Sequence, residues 1–88
     1  MKIIFSDAKG RIISMECDPK DKISTLLQNL EAKYKSLHPE DSIRSISIAF
    51  DGEIYTNEKN EEDINLEELG IEDDCKITFS ILYNGGLI

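Results

Sequence analysis

Between Asp21 and Tyr34 the chain reads DKISTLLQNLEAKY, and no other stretch constrains the fold as strongly. Ile23, Leu26, Leu27, Leu30 and Tyr34 recur at helical spacing and share one face, while Lys22, Gln28, Asn29 and Lys33 fall on the other. The spacing predicts an amphipathic helix over 21–34. Asp21 is the expected N-cap, its carboxylate accepting from the free amides of the first turn. Pro19 suits the approach to such a helix. A helix of this length is marginal alone in water, so its apolar face needs a partner from the rest of the chain.

That partner is readable on both sides. Met1–Ser6 alternates, with Ile3 and Phe5 on one face; Asp7–Gly10 reads as a turn; Arg11–Cys17 alternates again, with Ile13, Met15 and Cys17 together. After the helix, 35–42 is a polar connection containing Pro39. Ser45–Phe50 is the third expected strand, with Ile46, Ile48 and Phe50 inward. Asp51-Gly52 is a hairpin turn and Glu53–Tyr55 a short fourth strand. Thr56–Asp63 is polar and reads as an exposed loop. Asn65–Gly70 reads as a helical turn closed by Gly70, with Leu66 and Leu69 inward. Cys75–Tyr83 is the last strand, with Ile77, Phe79 and Ile81 on one face, and Asn84-Gly85-Gly86 breaks it.

The order strand, strand, helix, strand, strand, turn, strand predicts an α+β fold. One mixed sheet of five (or four) strands covers one helix, and the first and last strands lie side by side in parallel through a long crossover. This is the β-grasp architecture. Eighty-eight residues make one domain, 1–88, with 84–88 expected as a flexible tail. A chain of this size buries only about 60–65% of its unfolded surface, so its core is modest.

The formal net charge is −8, which disfavours nucleic acid and anionic membrane surfaces as partners. The apolar runs are far too short to span a bilayer, and MKIIFSDAKG does not read as a signal peptide, so a cytoplasmic or nuclear protein is expected. Cys17 and Cys75 lack metal-type spacing, and His38 is the lone histidine. Two free thiols are expected, with Cys17 in the core and no metal site. His38, beside Pro39, has no evident Ser or Cys partner and reads as solvated rather than as a base. No phosphate-binding glycine loop occurs, and no enzyme activity or cofactor is expected. From Asp51 to Asp74 eleven acidic residues face one lysine, Lys59. This is a solvated face or a docking surface for a basic partner, with Glu61, Glu62, Asp63, Asp73 and Asp74 its candidates.

Along nearly its whole length the sequence resembles ubiquitin and ubiquitin-like proteins. The resemblance is carried by Met1–Ile3, Gly10, Ile13, Met15, Cys17, Pro19, Asp21, Ile23, Leu26 and Leu30, then by Phe50-Asp51-Gly52, by Leu66, Leu69 and Ile71, and by Gly85-Gly86. It implies insertions near Ser36–Ser42 and within Thr56–Asp63. It further implies a protein modifier, cut between Gly86 and Leu87, whose Gly86 carboxyl is adenylated, passed to an enzyme thiol and joined to a target lysine. Gly85, Gly86 and Leu87 are then the processing and conjugation residues, and the partners are processing, activating and conjugating enzymes. The family's recognition face aligns with Ala49, Thr78 and Ser80, a smaller and more polar set than ubiquitin's own, and Leu82 is expected to join them in the partner-binding face. The arginines before ubiquitin's diglycine are replaced by Leu82 and Asn84, and its principal chain-forming lysine by Glu53. The alternatives implied are a non-covalent ubiquitin-like interaction domain, bound by receptors of such domains, and a sulfur carrier of the same fold. A monomer is expected in each case.

Overall fold

A computed structural model describes residues 1–56 and 64–83. Among the described residues seven elements follow one another: β1 (Lys2–Ser6), β2 (Ile12–Glu16), α1 (Ile23–Leu37), β3 (Ile43–Phe50), β4 (Glu53–Thr56), α2 (Leu66–Leu69) and β5 (Cys75–Tyr83). The strands form one mixed sheet in the order β2-β1-β5-β3-β4. β1 and β5 pair in parallel at its centre, with Phe5 opposite Ile77, and the other neighbours are antiparallel. The fold is therefore α+β, a five-stranded mixed sheet on one helix in the β-grasp arrangement.

The core lies between that sheet and α1. All five apolar residues read from the helical spacing, Ile23, Leu26, Leu27, Leu30 and Tyr34, are buried. They meet Ile3 and Phe5 of β1, Ile46 and Ile48 of β3, and Ile77 and Phe79 of β5. Each such side chain contributes about 1.5–3 kcal/mol by leaving water. Phe50, Met15, Leu69 and Ile81 pack at its margin, half-buried. Leu66 of α2 closes one end of the core.

Asp51 and Gly52 both have positive φ (51° and 79°), as a tight hairpin with the sheet's twist requires. Asn65 caps α2 by accepting from the Glu68 amide at 2.8 Å, and Gly70 ends it at φ 86°. The N-terminus joins the sheet: the Met1 ammonium donates to the Cys17 carbonyl at 2.8 Å, and the Cys17 amide returns a bond to the Met1 carbonyl at 2.7 Å.

Three expectations need correction. Asp21 is not the N-cap; Lys22 is, with no side-chain cap bond. The Asp21 carboxylate accepts from the Asp18 amide instead, at 3.1 Å, and the Ile23 amide is satisfied by the Ile64 carbonyl at 3.0 Å. A tertiary partner has replaced the local cap. The helix also runs on through Lys35, Ser36 and Leu37, expected as connection, and ends at His38, where the following Pro39 disfavours helical backbone. β3 starts at Ile43, two residues early, because a bulge separates Ile43 from Ser45 and turns Ile43 inward.

Candidate functional site

Alternation in β3 and β5 sends every second side chain to the face of the sheet opposite α1. Ala49, Thr78, Ser80 and Leu82 are all exposed there. The register joins them: Ala49 lies opposite Thr78, Ser47 opposite Ser80, and Ser45 opposite Leu82. Sequence reasoning missed their neighbours. One row crosses all five strands, Ile12–Ser6–Thr78–Ala49–Ile54, with small side chains in the middle and an isoleucine at each edge. Those isoleucines are 67% and 73% exposed, so they carry no part of the core. Beside this row, Ser45, Ser47, Thr56 and Ser80 floor an open concavity of about 360 Å³ rimmed by Ile54 and Leu82. The signal for these residues was present as the off-beat positions of each alternating strand. The part of the face made by Ser45, Ser47, Ala49, Ile54, Thr56, Thr78, Ser80 and Leu82 carries no charge and is rich in hydroxyls, in a chain whose net charge is −8, and Lys76 stands at the start of β5 beyond it.

Of the acidic candidates, Asp73 and Asp74 are exposed, yet both also hold the sheet together. The Asp73 carboxylate accepts from the Lys2 amide at 2.7 Å, and the Asp74 amide donates to the Lys2 carbonyl at 2.7 Å. Asp74 takes φ 62° to do so. Together they start the parallel β1–β5 pairing. Glu61, Glu62 and Asp63 lie outside the described residues, as do Gly85, Gly86 and Leu87. β5 ends at Tyr83, three positions before Gly86 in sequence.

A polar cluster that sequence reasoning did not find sits where the β1–β2 turn, the end of α1, the connection after it and the end of β5 meet. Arg11 is its centre. Its Nε donates to Asp7 at 2.6 Å, its Nη1 to the Tyr34 hydroxyl at 2.7 Å and its Nη2 to the Tyr83 hydroxyl at 3.4 Å. Tyr34 donates in turn to Asp41 at 2.6 Å. The guanidinium carbon also stands 5.4 Å over the Tyr34 ring. Burial would push the Asp7 carboxyl up, but bonds from the Arg11 amide and guanidinium, the Arg11 charge and the Lys9 amide outweigh it and hold its pKa below the ordinary value. Burial and the bond to Asp41 push the Tyr34 phenol well above its ordinary value, while Arg11 pulls that of Tyr83 down. These groups are locked to one another, which suits a structural clamp rather than proton transfer.

His38 is half-buried, its ring centroid 4.6 Å from that of Tyr34 and its Nδ1 3.9 Å from Glu40. It is a packing residue of this cluster rather than a freely solvated side chain. Both cysteines are free; Cys17 is buried, and burial followed by the Asp21 charge pushes its thiol pKa up, away from reactivity. Among the described residues no group of three or more His, Cys, Asp or Glu side chains is placed to hold a metal ion. No helix among them is long and apolar enough to cross a membrane. Comparison with protein-family models and with curated proteins found no match for this chain.

Proposed function

We propose that this chain is a ubiquitin-like protein modifier that acts through a Gly86 carboxylate. The observation that carries the reading is a β-grasp fold whose last strand ends at Tyr83, followed in sequence by Asn84-Gly85-Gly86. Two residues without side chains suit a segment that must thread a narrow enzyme cleft. Hydrolysis of the Gly86–Leu87 peptide would release that carboxylate. Reaction of that carboxylate with ATP, expelling pyrophosphate, would give an acyl adenylate; an enzyme thiol would displace AMP to form a thioester, and a lysine amine of a target in the cytoplasm or nucleus would displace the thiol to form the amide. The chain is then a substrate and tag with no catalytic role and no cofactor of its own, and its partners are proteins. The test is to express the protein in its native cells and measure intact mass and higher-mass products. Loss of Leu87 and Ile88 together with lysine-linked products is expected. Gly86→Ala should abolish those products, and their persistence in that variant would refute the proposal.

A second reading, a non-covalent ubiquitin-like interaction domain, is favoured by the uncharged face rimmed by Ile54 and Leu82. Under it, Ile54→Ser with Leu82→Ser would weaken partner capture roughly tenfold or more while changing stability by less than about 1 kcal/mol, since Ile54 is largely in water already. Capture that survives this pair but is lost with Gly86→Ala would return the argument to the modifier.

A further inference from the structure

The clamp around Arg11 is graded. Three of its links, to Asp7, to Tyr34 and from Tyr34 to Asp41, are 2.6–2.7 Å long. The fourth, to the Tyr83 hydroxyl, is 3.4 Å, beyond the usual range for an N–H···O bond. The loose link is the one that reaches the end of β5.

The strand ladder is weakened at the same place. Ile46 faces Ile81 and Ser45 faces Leu82, but the next pair is Ile43 with Tyr83, so Arg44 is an extra residue on β3. A bulge interrupts regular pairing where it occurs. Two independent features, one in side chains and one in the backbone, therefore converge on Leu82 and Tyr83. We infer that Leu82–Tyr83 is a releasable end of β5, which opens as a unit while Asp7, Arg11, Tyr34 and Asp41 stay joined. Local openings of this kind cost less than global unfolding. Up to Ile81 the strand is held: Ile77 and Phe79 are buried, and Ile81 packs on the core, whereas Leu82 is exposed and Tyr83 touches the core only half-buried, at its margin.

Release would let two further residues extend beyond the sheet, about 7 Å of reach. Its use rests on the modifier reading, where added reach would bring Gly86 deeper into an enzyme cleft. The opening itself needs no conjugation, so the two ideas fail separately.

Amide hydrogen exchange on the full chain, near neutral pH, tests it. Exchange at Leu82 and Tyr83 should be at least about tenfold faster than at Ile77–Phe79. Tyr83→Phe removes the loose link to Arg11 and with it the contact of the Tyr83 hydroxyl with that of Tyr34, and leaves the bonds of Arg11 to Asp7 and of Tyr34 to Arg11 and Asp41 in place. It should speed exchange at Leu82–Tyr83 and at the facing Ile43–Arg44 by about two- to fivefold and leave Phe5, Leu27 and Ile48 unchanged. Tyr34→Phe cuts two tight links and should speed exchange at the end of α1 and in 38–42 as well. Equal acceleration at all sites in Tyr83→Phe, or none at Leu82–Tyr83, overturns the inference. So does a Tyr34→Phe effect confined to Leu82–Tyr83.

Discussion

Replacing Tyr34 with Phe isolates the energy of the polar cluster, because the ring keeps its place in the core and only the hydroxyl goes. That hydroxyl accepts from Arg11 at 2.7 Å and donates to Asp41 at 2.6 Å. Bonds to charged groups are worth about 1.5–3 kcal/mol each when the partners are left stranded. The side chains of Arg11 and Asp41 are 26% and 27% exposed, so water takes over part of each bond. Halving the sum leaves a loss of roughly 2 kcal/mol, or a Tm lower by about 8–16 °C for a domain of this size. Urea unfolding followed by far-UV circular dichroism measures it. A cycle with Asp41→Asn should show coupling of about 1 kcal/mol, as expected for groups in direct contact. The pH dependence has a definite sign. The folded pKa of Tyr34 is raised, so its contribution is complete below the unfolded value near 10 and disappears as pH rises through the folded value. Tyr34→Phe should remove that part of the alkaline loss. A change in stability below about 0.5 kcal/mol at neutral pH would show that water replaces both bonds fully, and would refute the account of Tyr34 as the joint of the clamp.

Two other substitutions probe the fold. Asp7 is 6% exposed and its folded pKa is depressed, so its contribution is present above the unfolded value near 4 and is lost as pH falls through the folded one. Asp7→Asn should therefore destabilise at pH 7 by about 1–3 kcal/mol and flatten the acid limb of a stability–pH curve; a parallel curve would contradict this. At Gly52 an added Cβ would meet nothing within 4 Å, so Gly52→Ala should cost only the strain of φ 79°, about 1 kcal/mol in urea unfolding.

What could be read in the sequence was what repeats locally. Ile23, Leu26, Leu27, Leu30 and Tyr34 announce one buried face at helical spacing, and Ile46, Ile48, Ile77 and Phe79 announce theirs at a spacing of two. Burial follows such periods because the backbone geometry imposes them. The same alternation carried the outer face, since Thr78 and Ser80 must point away if Ile77 and Phe79 point in. It also put Ile12 on the outer face, away from Ile13, Met15 and Cys17, but Ile54 escaped: it looks like a core residue by type, and its register opposite Ala49 puts it in water.

Beyond the parallel pairing of the first and last strands, the side-chain contacts between distant segments could not be read. Asp73 looks like one more charge in an acidic run, yet its carboxylate bonds an amide 71 positions away. Asp21 has the chemistry of a cap and spends it on the preceding loop, because residues near 64 already satisfy the helix. Tyr34 fits the apolar stripe so well that nothing local marks its hydroxyl as the meeting point of Arg11 and Asp41. A buried phenol must find a partner, and a guanidinium that leaves water must find several. At Arg11 those two needs are met together, 23 residues from Tyr34 and 72 from Tyr83. The clamp thus joins the first turn of the chain to the end of its last strand, and so the stability of the strand end from which Gly85 and Gly86 follow depends on a residue near the opposite end of the sequence.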